Sequence, residues 1–238
     1  MREHISIAIE TSCRTGGVAL GLEDELVAAV DFDASARHTT QLIAQLQRLL
    51  SEADFGPEDV NDIYVSAGPG SFTGLRIGIT VARTMAQMLG RSRCVAVPTA
   101  RAIAENAAEL DFKQLAVMLA AKRDHVYVAM FGRNDDRQIV ETQPGSVLAA
   151  EAFLAGAPKP LMLIGEGVKY CLTSAEGITV APDHLHLPTA NGIWQVGRKM
   201  SAAGLFTDYN KLLPIYARQP EAVRLWQKRN QKTDSPND

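Results

Sequence analysis

"SAGPGSFTGLRIGI", residues 66–79, stands where an apolar run meets a helical pattern, and its reading decides the fold. It looks like a phosphate loop. A P-loop, however, needs GxxxxGK[ST], with lysine on the phosphates and a hydroxyl on magnesium. Here Gly70 and Gly74 enclose three residues, and Leu75 and Arg76 stand where Lys and Ser/Thr belong. The dinucleotide pattern GxGxxG fails as well, because Thr73 holds the third glycine position. What remains is a tight strand-to-helix turn. Pro69 fixes one φ, the glycines permit positive φ, and Ser71 or Thr73 caps the helix. Free amides at such a helix start also suit an anion; the plain turn is the simpler reading.

Outward from the loop, "DIYVSAG" (62–68) reads as a strand and Thr73 to about Leu89 as a helix. Upstream, "ISIAIE" (5–10), "GVALGL" (17–22) and "LVAAVDF" (26–32) form a three-stranded meander. In "TTQLIAQLQRLLSEAD" (39–54), Leu42, Ile43, Leu46, Leu49, Leu50 and Ala53 recur at helical spacing. "CVAVPT" (94–99) is a further strand, ended by Pro98. A meander feeding a βαβ unit makes a mixed sheet with helices on its faces.

The second half repeats the order in weaker form. "LAVMLAA" (115–121), "VYVAMFG" (126–132) and "RQIVETQ" (137–143) are strands, "SVLAAEAFLAG" (146–156) a helix, "PLMLIGEG" (160–167) a strand and "GIWQVGRKMSAAG" (192–204) a helix. A duplicated α/β fold is expected, with lobes at 1–105 and 106–220 and a polar, partly disordered tail at 221–238.

The bulk numbers narrow the class. Of 238 residues, 46% are hydrophobic and 21% charged, which describes an ordinary globular protein. A net charge of -3 argues against general nucleic-acid binding by bulk electrostatics. Cys13, Cys94 and Cys171 lie far apart without a CxxC pair, so reduced thiols and a cytoplasmic home are expected. The apolar run Ile5 to Ile9 is too short for a secretory core, and no run approaches the ~20 residues of a membrane helix.

The helix after the loop carries more information than the loop. Gly74, Gly78, Ala82 and Ala86 recur every four residues and form a small-side-chain stripe. Apolar and small residues cover roughly 200° of its circumference, against about 100° for an ordinary surface helix. Arg76, Thr80, Arg83, Thr84 and Gln87 face away. Such a helix buries two sides. The small stripe admits a second backbone, from its own chain or from a partner, and the pattern alone does not choose.

Several segments in order, "AIETSCRTGGVAL", "ARHTTQ", "SAGPGSFTGLRIGI", "VYVAMF", "LIGEG" and "PIYARQ", resemble the TsaB (YeaZ) family of bacterial tRNA threonylcarbamoyladenosine biosynthesis proteins. The resemblance runs from about residue 5 to 229, and "GPGSFTGLRIGI" is its most specific piece. It implies an actin-like ASKHA fold of two ribonuclease-H-like lobes with mixed sheets flanked by helices. It implies a non-catalytic subunit that supports TsaD, the threonylcarbamoyl transferase, with the ATPase TsaE joining the complex. Contact with tRNA is then indirect, and a homodimer forms when TsaD is absent. It places the partner contact on the helices 39–54 and 73–89, which gives Leu42, Leu46, Gly74, Leu75, Gly78, Ile79, Ala82, Met85 and Ala86 as candidate partner-binding residues. Two departures stand out: Glu10 ends the first strand where the family has aspartate, and Ala120 and Lys122 replace an Asp and an Arg.

The alternative function is an ASKHA-type ATPase or small-molecule kinase. Such enzymes need carboxylates beside metal and phosphates. Glu10 is one candidate, Ala120 removes its counterpart, and Glu10 reads best as a solvated strand end. Asp124 falls past the strand start. His4, His38, His125, His184 and His186 contain no pair one helical turn apart, so no metal site is expected. Ser71 is not in a GxSxG elbow, and Cys13 reads as a bystander thiol. Arg224, Lys228, Arg229 and Lys232 around Trp226 suit tRNA phosphates but read more simply as a solvated tail. No catalytic residue, cofactor or metal is expected.

Overall fold

The computed structural model describes residues 3–33, 38–121, 125–170 and 175–217. Lys122, Asp124, Cys171 and the basic segment around Trp226 lie outside the described residues.

The first meander is β1 (Ile5–Glu10), β2 (Thr15–Leu22) and β3 (Glu25–Asp33). Helix α1 (His38–Glu52) leads to β4 (Val60–Gly68), α2 (Phe72–Leu89) and β5 (Arg93–Pro98). These strands form one sheet in the order β3-β2-β1-β4-β5, antiparallel on the meander side and parallel beyond β1. A short helix, α3 (Thr99–Glu105), begins directly after Pro98. The second half contains β6 (Leu115–Ala120), β7 (His125–Arg133), β8 (Ile139–Ala149), α4 (Ala150–Gly156), β9 (Leu161–Ile164), β10 (Ile178–Val180) and α5 (Ala190–Ala202). Its sheet, β10-β9-β6-β7-β8, repeats the order and strand directions of the first. Duplication is therefore a property of the topology.

Three elements differ from the sequence expectation. The helix expected from Ser146 starts at Ala150, because Ser146 to Ala149 continue β8 against Val128 to His125 of β7. In a run of small and β-branched residues, cross-strand pairing overrides helical spacing. Helix α3 and strand β10 went unread; seven and three residues are too short for a periodic signal.

Side-chain size along β1 decides which helix covers which face. Ile5, Ile7 and Ile9 join Leu42, Leu46, Leu49 and Ile79 in the core beneath α1 and α2. On the other face, Ala8 joins Ala19, Tyr64, Val97, Ile193 and Trp194 beneath α5. Small residues there let the Trp194 indole lie on the sheet, where its Nε1–H donates to Ser6 Oγ at 2.9 Å. Thus α5, although it falls within 106–220, packs on the first sheet. Ala100, Ile103 and Ala104 of α3 pack on the second sheet with Leu115, Val117 and Phe131, while Ala102 packs with the first, so α3 mortars the lobes together. Among the described residues, no helix is long and apolar enough to cross a membrane.

Candidate functional site

The 68–71 loop is clamped from two sides. Gly68 has φ +110 and lies so close to the Ile215 carbonyl that no side chain fits, and Ile215 N donates to Ala67 O at 2.6 Å. Ser71 caps α2, its Oγ accepting from Gly74 N at 3.3 Å. Ser71 N itself donates to Ser12 O at 2.6 Å. The turn after β1 therefore occupies an amide that a phosphate loop would leave free.

The small stripe of α2 faces inward. A Cβ on Gly74 would strike the Thr11 carbonyl, and one on Gly78 the Thr11 hydroxyl. Leu42, Leu46, Leu75, Ile79, Ala82 and Ala86 are all buried in the single chain, as are Gly74 and Gly78. Of the expected partner-binding residues only Met85 is partly exposed. The second backbone that the stripe admits is thus β1 and the turn beyond it, in the same chain. Gly78→Leu is expected to destabilise the isolated chain by about 1–3 kcal/mol through overpacking. A variant that melts with the parent in dilute solution would return the stripe to the surface.

The outward side of α2 carries Arg76, Thr80, Thr84, Gln87 and Met88, with Arg83 and Met85 half-buried. Beside it, residues 212–216 form the far wall of an open groove of about 390 Å³. Phe72 stacks on Tyr216 at 5.1 Å, and Phe72, Leu213, Ile215 and Met88 are exposed apolar side chains. On α1, Ile43 is exposed.

Between the lobes lies a second cavity of about 220 Å³. Ser12, Cys13, Pro69, Gly70, Ser71 and Thr99 line it from one side, and Leu119, Ala120, Glu166, His186, Leu187 and Pro188 from the other. Ala120 thus stands in the cleft wall without a carboxylate. His186 is fixed by carbonyl oxygens at both ring nitrogens, Gly165 O at 3.0 Å and Ala181 O at 2.8 Å. Asn106 Nδ2 donates to Leu185 O and Leu187 O, pinning the same wall to the end of α3. His184 is exposed.

Glu10 overturns its expectation. It is 0% exposed, not solvated, because β1 runs through the middle of the sheet and its end is capped by the 11–13 turn. One carboxyl oxygen accepts from Ser12 N, and the other has no hydrogen-bond partner. Burial pushes its pKa up to about 7, with Ser12 and Ser66 beside it acting the other way. Asp31 on β3 is also raised, chiefly by burial. Burial, with the charge of Glu10 next, pushes the Cys13 thiol to about 12, so it stays protonated and donates to Thr15 O at 3.0 Å. A second buried carboxylate, Asp62, escaped sequence reading. It accepts from Arg93 Nε at 2.8 Å and Ser201 Oγ at 2.7 Å and meets His4 Nε2 at 3.1 Å. A lone acid inside "DIYV" was the available signal.

The family profile described as TsaD, tRNA N6-adenosine threonylcarbamoyltransferase, matches residues 32–208. The chain is 28% identical to the tRNA threonylcarbamoyladenosine biosynthesis protein TsaB of Bacillus subtilis, over 92% of this chain and 96% of that protein. It is 24% identical to Escherichia coli TsaB, over 93% and 96% of the two chains. The structure of YeaZ from Pseudomonas aeruginosa superposes with a TM-score of 0.76 at 23% identity, covering 90% of this chain and 99% of that one. The two mixed sheets flanked by helices are accordingly the actin-like ASKHA fold.

Proposed function

The chain belongs to the TsaD family, within it to the TsaB (YeaZ) proteins, and from that premise we propose that it is a non-catalytic subunit which binds TsaD and supports it in forming threonylcarbamoyladenosine in tRNA. The observation that carries this reading is the similarity to proteins named TsaB over nearly the whole of both chains. The site chemistry supports it. Among the described residues no lysine or arginine lines the interlobe cavity, the Ser71 amide is taken by Ser12, and Ala120 stands where the family resemblance leads one to expect an acid. The cytoplasm is the proposed compartment, TsaE a further partner, and tRNA contact is indirect.

The contact surface in this proposal is the outer side of α1 and α2. Leu42, Leu46, Gly74, Leu75, Gly78, Ile79, Ala82 and Ala86 hold those helices on the sheet, and the contact falls to Met85 with Ile43, Thr84 and Met88. A two-fold axis lets the same patch pair with its copy when TsaD is absent. A specific contact needs at least ~1,000 Å² in total.

Reconstitution tests the function: supplied with a threonylcarbamoyl donor, TsaD with TsaE should modify tRNA only when this chain is added, and this chain with the donor alone should modify none. The surface has its own test in the double variant Thr84→Glu, Met88→Glu. Both sites are exposed, so the free variant should keep its stability within about 0.5 kcal/mol. Its affinity for TsaD should fall at least tenfold, about 1.4 kcal/mol, and light scattering should find it monomeric. Loss of the homodimer with undiminished TsaD binding would mean two separate faces.

A further inference from the structure

The outward side of α2 carries two cations that await a counter-charge. Arg76 and Arg83 stand two helical turns apart, about 10 Å along the axis. Both line the groove of about 390 Å³ that α2 forms with residues 212–216. Among the described residues, neither guanidinium has a hydrogen-bond acceptor or an ion-pair partner; Arg76 lies over the Phe72 ring at 5.2 Å. Arg83 is half-buried, so part of its hydration is lost with no acceptor in its place. The other described lining residues are uncharged, and Leu212, Leu213 and Pro214 give an aliphatic wall. The sequence that continues from this wall after Ala217 does not reverse the sign. It carries Arg218, Arg224, Lys228, Arg229 and Lys232 against Glu221, Asp234 and Asp238.

We propose that this groove receives an acidic segment of TsaD, whose carboxylates meet Arg76 and Arg83 while its apolar side chains lie on Leu213 and Pro214. The inference rests on TsaD as the partner and names what that partner presents. Guanidinium groups take carboxylates in charge-assisted, often bidentate pairs, and arginine is among the residues that carry most energy at interfaces. A second copy lacks the matching charge. In α1 and α2 the one carboxylate is Glu52, and Arg48 already holds it at 2.7 Å. A copy docked through the same helices leaves Arg76 and Arg83 unpaired, so the groove favours the heteromeric contact over the homodimer. A nucleic acid would use the arginines but not the aliphatic wall. Phe72 and Tyr216 stack on each other at 5.1 Å, which spends the faces that bases would need.

The test is the double variant Arg76→Gln, Arg83→Gln of the full-length chain. It should melt with the parent, and its affinity for TsaD, measured by calorimetry, should fall at least tenfold. Raising KCl from about 0.05 to about 0.5 M should weaken the parent by a larger factor than the variant, because screening acts on the lost charge pairs. The homodimer of the variant should dissociate within twofold of the parent. If Arg83 is required for folding, Arg76→Gln alone is read in the same way, with at least a threefold loss expected. A parent chain that does not bind TsaD overturns both this inference and the reading beneath it. Undiminished TsaD binding by the folded variant overturns the inference alone, as does a loss with the parent's salt dependence. An equal loss of the homodimer would assign the groove to a second copy. A chain ending at Ala217 should bind TsaD as the parent does; a tenfold gain that needs the arginines would assign the groove to the tail. Arginine-dependent binding of unmodified tRNA to the free chain would assign it to RNA. Each of these three results overturns the proposal.

Discussion

Replacing Asp62 by alanine is expected to lower the unfolding free energy by about 3–5 kcal/mol, the cost of breaking a buried ion pair by removing one partner. Asp62 is 0% exposed, and three side chains from separate stretches of sequence converge on it together with Tyr64 of its own strand. Arg93 of β5 approaches with Nε and Nη2 at 2.8 and 3.2 Å, Ser201 of α5 donates at 2.7 Å, His4 lies at 3.1 Å and Tyr64 OH at 3.4 Å. Alanine leaves the Tyr64 and Ser201 hydroxyls without this acceptor and removes the hydrogen bond that ties the last turn of α5 to β4. The lower end of the range is the more apt, since the Arg93 side chain is 49% exposed and turns readily to water. Arg93→Gln should for the same reason cost much less than Asp62→Ala. Urea unfolding of the two variants decides the point. A loss below about 1 kcal/mol for Asp62→Ala, the range of an exposed pair, would show that the network does not hold α5.

Glu10 sets the second large effect, and its sign is opposite to that of an ordinary surface carboxylate. The folded chain holds its carboxyl proton up to about pH 7, whereas an unhindered glutamic acid releases it near 4.5. Between those values the native state binds more protons than the unfolded chain, so stability falls as pH rises. The contribution is fully present below about 4.5 and is lost as pH passes through about 7. The span corresponds to about 3 kcal/mol. Asp31, raised in the same direction, adds with the same sign. Glu10→Gln cannot ionise. We expect it to be more stable than the parent at pH 8, by up to about 3 kcal/mol, and to close most of that gap at pH 4.5. The difference between parent and variant, taken by denaturant unfolding across this range, isolates the one group. A difference independent of pH would show that Glu10 is ionised in the folded chain throughout.

The sequence by itself determined most of the element order. Long periodic runs declared α1, through Leu42, Leu46, Leu49 and Leu50, and α2, through its wide apolar arc, and a short β-branched run declared β1. The tight turn and a cap at Ser71 or Thr73 were also legible, because capping and φ requirements are local; the structure chose Ser71. The family was legible from "GPGSFTGLRIGI" and the order of the weaker segments. Local signals cannot report what lies across a gap in sequence. That β1 takes the centre of its sheet, and so buries Glu10, follows from pairing with β2 on one side and β4 on the other. That the Gly74–Gly78 stripe rests on Thr11 rather than on a partner follows from where the 11–13 turn crosses α2. The return of α5 to the first sheet depends on small residues at Ala8 and Ala19 meeting Trp194, which are far apart in the chain. Periodicity states that a face is buried; only the tertiary structure supplies the surface that buries it. For this protein that distinction moved the candidate contact from the small stripe of α2 to the side that carries Thr84 and Met88.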